Sequence, residues 1–377
     1  MTFRSSLPVL ALLAAACGST SAEPAGGATT TTATATGQGG ATATGAGGGA
    51  TTATGAGGGA ATTTGAGGST PTATGYPGGE SFTVTFDPVK LAPGEEDTKC
   101  VVKRVGNEGA VHVGQIHNAL NSASHHFIVY KVADTEEQPT PFACKPFADL
   151  LQPDKGTPLM ITQKHDDVLT MPDGVAVTFA PGQMVRLEMH YINVTPAEVD
   201  ATATATFFTV PDASFTDEAD FLFVGNPDIH VAPHASATLG PSYLALPADL
   251  DGVKFFGMTG HTHQFGTSVT VATAPSEQGA DTPVYDVPGW SWSEPATVMF
   301  DPPFQVPKGG GFRFACSWNN TSDHEVGFGE SANDEMCFFW TYYYPSRGAK
   351  VCVHTDEYVP GGYDLCCPGP AVCQQIL

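Results

Sequence analysis

The chain has 377 residues, a formal net charge of −23, only 14% charged residues and 44 glycines. Through residue 79 the only charged side chains are Arg4 and Glu23, so the whole −23 belongs to residues 80–377. A body this acidic, with no Lys/Arg cluster, repels phosphate backbones and anionic bilayers, which argues against nucleic acid as a partner.

Residues 1–17, MTFRSSLPVLALLAAAC, combine one basic residue, a short apolar run and small residues leading to Cys17. That is the layout of a secretory signal, too short in its apolar part to span a bilayer. Small residues before the cysteine, then Gly18 and Ser19, resemble a bacterial lipoprotein processing site. The expectation is an exported protein of the cell envelope or cell surface, lipid-anchored through Cys17, with plain secretion as the alternative. Residues 18–79 are almost entirely Ala, Thr and Gly, with a ten-residue near-repeat visible in TTATGAGGGA (51–60) and ATTTGAGGST (61–70). Such a composition buries no core, so a disordered tether is expected, spanning roughly 45 Å if it behaves as a Gly-rich coil.

Setting Cys17 aside, eight cysteines remain, at 100, 144, 316, 337, 352, 366, 367 and 373. In an exported chain an even number reads as disulfides, though counting alone fixes no pairing. The last four fall in a Gly/Pro-rich tail, residues 351–377, where cross-links substitute for a core. A zinc knuckle is the competing reading there, weakened because Cys366 and Cys367 are adjacent and lack a CxxC pitch.

From residue 81 onward the sequence reads in short strands: SFTVTFDPV (81–89), HHFIVYKV (125–132), VAVTFA (175–180), QMVRLEMHYI (183–192), ATATATFFTV (201–210), VKFFGMTGHTH (253–263), SVTVATA (268–274), FRFACSW (312–318) and MCFFWTYYY (336–344). Many alternate polar and apolar residues and end at Pro, Gly, Asp or Asn, which indicates an all-β protein of antiparallel sandwiches. FADLL (147–151) is the best local helix candidate, and the polar stretch PDASFTDEAD (211–220) is the candidate domain boundary.

Three strand-like runs carry histidine where Val or Thr would be unremarkable. In HTH (261–263), residues i and i+2 of an extended strand share a face, so both imidazoles reach one ion or both face solvent. His125 and His126 are neighbours, and placing both on one ion requires a bulge, a strand end or different ring nitrogens. His190 alternates with Met184, Arg186 and Glu188 on one face of its strand, where a lone histidine is ordinarily just a polar-face residue.

Together HHFIVY (125–130), RLEMHYIN (186–193), GHTHQFGTSV (260–269) and GFGESANDEMCFFWTYYYP (327–345), supported by DPPFQVPKG (301–309) and FACSWNN (314–320), resemble the copper type II, ascorbate-dependent monooxygenase family. The resemblance implies two tandem jelly-roll-like β-sandwich domains, here 80–214 and 215–350, each holding one copper across an open cleft. His125, His126 and His190 would hold the electron-donating copper. His261, His263 and Met336 would hold the copper at which dioxygen is activated and substrate hydroxylated. Three imidazoles suit an ion cycling between Cu(I) and Cu(II), and a thioether favours Cu(I). The family pattern also implies the disulfides Cys316–Cys337 and Cys100–Cys144.

Where the peptide-amidating branch has an Arg and a Tyr for a substrate carboxylate, this chain has Thr259 and Trp340. Threonine offers no charged fork, so a peptide carboxylate is not the expected substrate. Trp340 reads equally as a wall for an apolar substrate or as a core residue. The implied function is a copper monooxygenase using a small organic substrate, O2 and an electron donor, ascorbate or another reductant. The alternative is a copper-binding lipoprotein without turnover.

Overall fold

The computed structural model of the chain describes residues 73–121, 123–144, 156–329, 331–357 and 362–368. The signal with Cys17, the tether as far as residue 72, the FADLL segment and Cys373 lie outside the described residues. Among the described residues no helix is long and apolar enough to cross a membrane.

Ten strands come first: β1 (Ser81–Leu91), β2 (Glu96–Arg104), β3 (Val111–Leu120), β4 (Ser124–Val132), β5 (Gln138–Ala143), β6 (Gly156–Thr162), β7 (Asp166–Thr170), β8 (Val175–Phe179), β9 (Met184–Ile192) and β10 (Val199–Val210). A second run follows: β11 (Asp217–Glu218), β12 (Asp220–Gly225), β13 (His230–Val231), β14 (Ser236–Ala245), β15 (Lys254–His261), β16 (Gly266–Ala274), β17 (Thr282–Asp286), β18 (Thr297–Phe304), β19 (Gly311–Asn319), β20 (Val326–Gly327), β21 (Phe338–Tyr344), β22 (Lys350–Thr355) and β23 (Tyr363–Cys367).

The first run, with β11 added at its edge, builds one sheet ordered β1-β10-β3-β8-β11, with β7 also on β3, and a second ordered β5-β2-β9-β4-β6. The second run builds β18-β15-β21-β12-β22-β23 and β14-β19-β16-β17, with β13 and β20 paired separately. The fold is all-β and rich in sandwich packing, and among the described residues no sheet closes into a barrel. Two pairings, β11 with β8 and β12 with β22, are parallel, a departure from the purely antiparallel expectation. β11 still pairs with the first group, whereas β12, starting two residues after it ends, is interior to the second.

The sheet containing β15, β21 and β12 explains why FLFVG and FFWTYYY are continuously apolar rather than alternating. Alternate residues leave its two faces, and both faces are covered. Leu222, Val224, Phe255, Phe339 and Tyr343 join the core shared with the four-stranded sheet. Phe221, Phe223, Phe256, Phe338, Trp340 and Tyr342 join the core of the first group. A strand buried on both sides has no place for a polar alternation.

Gly225 shows how tightly this sheet is packed. It pairs with Phe338, and a Cβ placed there would meet the Phe338 ring at 1.8 Å. Gly225→Ala should therefore lower stability by about 1–3 kcal/mol, the usual range for overpacking. Chemical denaturation with an unchanged m-value is the check.

Cys100–Cys144 ties β2 to the end of β5, and Cys316–Cys337 ties the four-stranded sheet to the residue just before β21. Both pairings are those the family pattern implies. In the tail, Cys352–Cys366 joins β22 to β23, which removes two of the four thiols that a zinc knuckle would need. Tyr76 lies inside the stretch expected to be tether, yet its hydroxyl donates to the Gly114 carbonyl at 2.8 Å. An aromatic ring with a polar tip supplies the anchor that Ala, Thr and Gly lack.

Candidate metal centre

His125 and His126 lie on β4 and His190 on β9, adjacent strands in the five-stranded sheet. The register explains how two neighbouring histidines serve one point. Ser124 faces Tyr191, but His126 faces His190, so His125 is the extra residue of a bulge on β4. A bulge re-aims a side chain that regular alternation would send to the opposite face. One ligand-capable atom from each of His125, His126 and His190 lies within 4.8 Å of the others. The His126 and His190 ring centroids are 4.7 Å apart, and those of His125 and His190 5.3 Å.

Strand β9 lies between β2 and β4, and its polar face is largely buried rather than a solvent face. Glu188 and His190 are buried, and Glu188 accepts from the Tyr130 hydroxyl at 3.1 Å. His190 Nε2 lies 3.0 Å from Glu96 Oε1, so Nε2–H donates to the carboxylate and Nδ1 is the nitrogen left for a metal. That Nδ1 is 3.4 Å from Nδ1 of His126. Two imidazole nitrogens bound at about 2.0–2.1 Å to one ion stand at about this separation. Burial holds His125 down to about 4 and His126 well below the usual imidazole range, so both rings are in the neutral form that ligates. Cys100, Cys144 and Glu188 also converge, but the sulfurs are joined in a disulfide and offer no thiolate.

Two members of the second predicted set, His261 and His263, lie at the end of β15 and just past it. The strand stops at His261, and Thr262 and His263 run into a turn closed by Gly266 N–H donating to the His263 carbonyl at 2.9 Å. HTH is thus a strand end rather than a straight strand, yet the His261 and His263 ring centroids are 5.1 Å apart. Both rings are buried, which holds His263 down to about 4 and His261 well below its ordinary value. His263 Nδ1–H donates to the Asp334 carbonyl at 3.2 Å. Met336 is buried two residues before Phe338, the register partner of His261.

Glu335 holds these pieces together. Its fully buried carboxylate accepts from the backbone N–H of His263 at 2.8 Å and of Phe265 at 2.7 Å, and from Trp318 Nε1–H at 2.8 Å. Burial lifts its carboxyl to about 7, against the pull of these donors.

The two sets are not separated by an open cleft. Gln163, one residue past β6, meets His261 Nδ1 at 2.9 Å and donates to the Trp292 carbonyl at 3.3 Å. The Trp292 ring lies 5.3 Å from the His125 ring, and Trp290 Nε1–H donates to Thr262 Oγ1 at 3.2 Å. Glu96 also accepts from the backbone of Ala332, near Met336.

Glu96, Gln163, Trp290, Trp292 and Glu335 were not singled out by sequence reasoning. The WSW doublet in a turn-rich loop and the carboxylate directly before Met336 were available signals. Glu96 and Gln163 had none, because their partners are 94 and 98 residues away. Thr259 and Trp340 are cross-strand partners, and both are buried. Trp340 stacks near-parallel on Phe223 at 6.4 Å, with the His261 ring 6.1 Å away. It is a core residue and at the same time a neighbour of the second set.

The donor sets fit copper: three converging imidazoles in one place, two of them held neutral by burial, and two imidazoles beside a thioether-bearing segment in the other. Residues 234–359 carry a copper type II ascorbate-dependent monooxygenase C-terminal domain, and His261, His263 and Met336 fall inside it. No curated protein matches the chain. Among solved structures, the major capsid protein P2 of bacteriophage PM2 is 6% identical, with 71% of this chain and 100% of that one covered at a TM-score of 0.31. Broad bean stain virus gives 10% identity, 70% and 93% coverage and a TM-score of 0.26. A putative secreted protein from Eubacterium rectale gives 10%, 65% and 68%, and 0.17.

Proposed function

We propose that the chain is an exported copper-dependent monooxygenase with two mononuclear copper sites on two jelly-roll-like domains, 80–214 and 215–350. What carries the reading is one conjunction: three imidazoles converge on a point in the first half, two of them held neutral by burial, while the second half carries a copper monooxygenase domain with its own histidine pair. His125, His126 and His190 would hold one copper, and His261, His263 and Met336 the other. Copper supplies one-electron storage at the first set and dioxygen activation at the second. The balanced reaction is R–H + O2 + 2 e⁻ + 2 H⁺ → R–OH + H2O, with the electrons from ascorbate or another external reductant.

The protein's own contributions are orientation and exclusion of water. Glu96 fixes the tautomer of His190, and Asp334 that of His263. Trp292 lies beside His125, and Trp290 donates to Thr262 between the two histidines of the second set. Thr259 in place of a cationic fork favours a neutral or apolar substrate over a carboxylate. Export and lipid attachment at Cys17 complete the reading, placing the body at the cell envelope on its tether.

Substrate-dependent oxygen uptake in the presence of copper and reductant tests it. Met336→Leu conserves volume, so stability should change by less than about 1.5 kcal/mol. The variant should lose substrate-dependent oxygen uptake while keeping the copper of the three-histidine set. Full uptake in this variant would remove Met336 from the site. The direct contacts of Gln163 and Trp292 across the two sets favour a second reading, a copper-holding lipoprotein without turnover. Two bound coppers and no substrate that raises oxygen uptake would select it.

A further inference from the structure

Gln163 connects the two histidine sets, and its two ends are chemically constrained. The Trp292 carbonyl can only accept, and it lies 3.3 Å from the Gln163 amide nitrogen. The amide nitrogen must therefore point at Trp292, and the amide oxygen at His261 Nδ1, 2.9 Å away. The flipped carboxamide would set two carbonyl oxygens against each other. With an oxygen opposite it, His261 Nδ1 must carry the proton, which puts the ring's lone pair on Nε2.

We propose that Gln163 is a positioning residue for the second copper site. A backbone carbonyl in the Trp290–Trp292 loop sets the orientation of its carboxamide, and the carboxamide sets the tautomer and ring plane of His261. The proposal rests on His261 being a copper ligand. Its location makes the control unusual, because Gln163 belongs to the first sandwich and follows Thr162, the register partner of Phe127, next to His126. A ligand of the second site is thus oriented from the strand layer that carries the first. The same amide holds the Trp292 backbone, whose indole packs 5.3 Å from His125, so one side chain touches the surroundings of both sets. Gln163 is 8% exposed, so little bulk water competes for these contacts.

The test uses full-length protein. In the copper-free wild type, nitrogen-15 NMR of labelled histidine should show His261 protonated at Nδ1; protonation at Nε2 would overturn the proposal. Gln163→Leu removes both contacts at similar size, and the second copper should then bind roughly 10–100-fold more weakly, the usual cost of losing a ligand's hydrogen-bond partner. The first copper should bind as in the wild type. Gln163→Glu keeps an acceptor for Nδ1–H and should hold the second copper more tightly than Gln163→Leu. Unchanged binding of both coppers in Gln163→Leu would contradict the assignment. Should Gln163→Leu fail to fold, the wild-type tautomer decides. If the wild type shows the Nδ1–H tautomer but binds no copper at His261, the copper reading fails while the hydrogen-bond assignment stands.

Discussion

His190→Ala should empty the three-histidine set, with copper affinity there falling by more than about 100-fold, since losing only an outer hydrogen-bond partner already costs roughly 10–100-fold. The substitution removes one of three converging nitrogens and also strands Glu96, whose carboxyl is held below its ordinary range chiefly by the hydrogen bond to His190. The copper content should drop from two per chain to one, and the remaining copper should report the His261 and His263 environment. Substrate-dependent turnover should stop while the second copper remains reducible by small chemical reductants. Metal analysis with electron paramagnetic resonance of the oxidised protein reads this directly. A His190→Ala protein that still binds two coppers with an unaltered spectrum would remove His190 from the site.

Glu335→Leu should be the most damaging substitution for the fold of the second site. It leaves the N–H groups of His263 and Phe265 and the indole N–H of Trp318 buried without their acceptor. At about 1–3 kcal/mol for each abandoned donor, the loss is roughly 3 kcal/mol or more. Because those donors lie on the HTH turn and on β19, the damage should concentrate at His263 and Met336 rather than spread evenly. Denaturant unfolding should show the loss of stability, and metal analysis the loss of the second copper with the first retained. Glu335→Gln keeps one acceptor oxygen and should fall between the two. Wild-type stability in Glu335→Leu would mean that this carboxylate does not hold the turn.

The strands were legible in the sequence where a run alternates or is uniformly apolar, because sheet periodicity is local. The histidine motifs were legible for a related reason: each is a short run, and the order of the runs is particular. What could not be read was everything set by register between distant segments. The bulge at His125 is visible only once Ser124 and His126 are paired with β9. The burial of both faces of β9 likewise depends on distant segments packing against it, which turned an expected polar-face stripe into an enclosed one. Glu96 and Gln163 are polar residues in unremarkable contexts, and their roles arise from chain segments that fold back beside them. The open cleft implied by family resemblance is the instructive difference, since it depended on side chains such as Trp292 that no shared motif contains.

The central claim, two histidine-based copper sites in one body, is tested most directly by titrating the metal-free full-length protein with copper and counting tightly bound ions per chain. Two ions are expected, one abolished by His190→Ala and the other weakened by Met336→Leu. Fewer than one tightly bound copper per chain would contradict it.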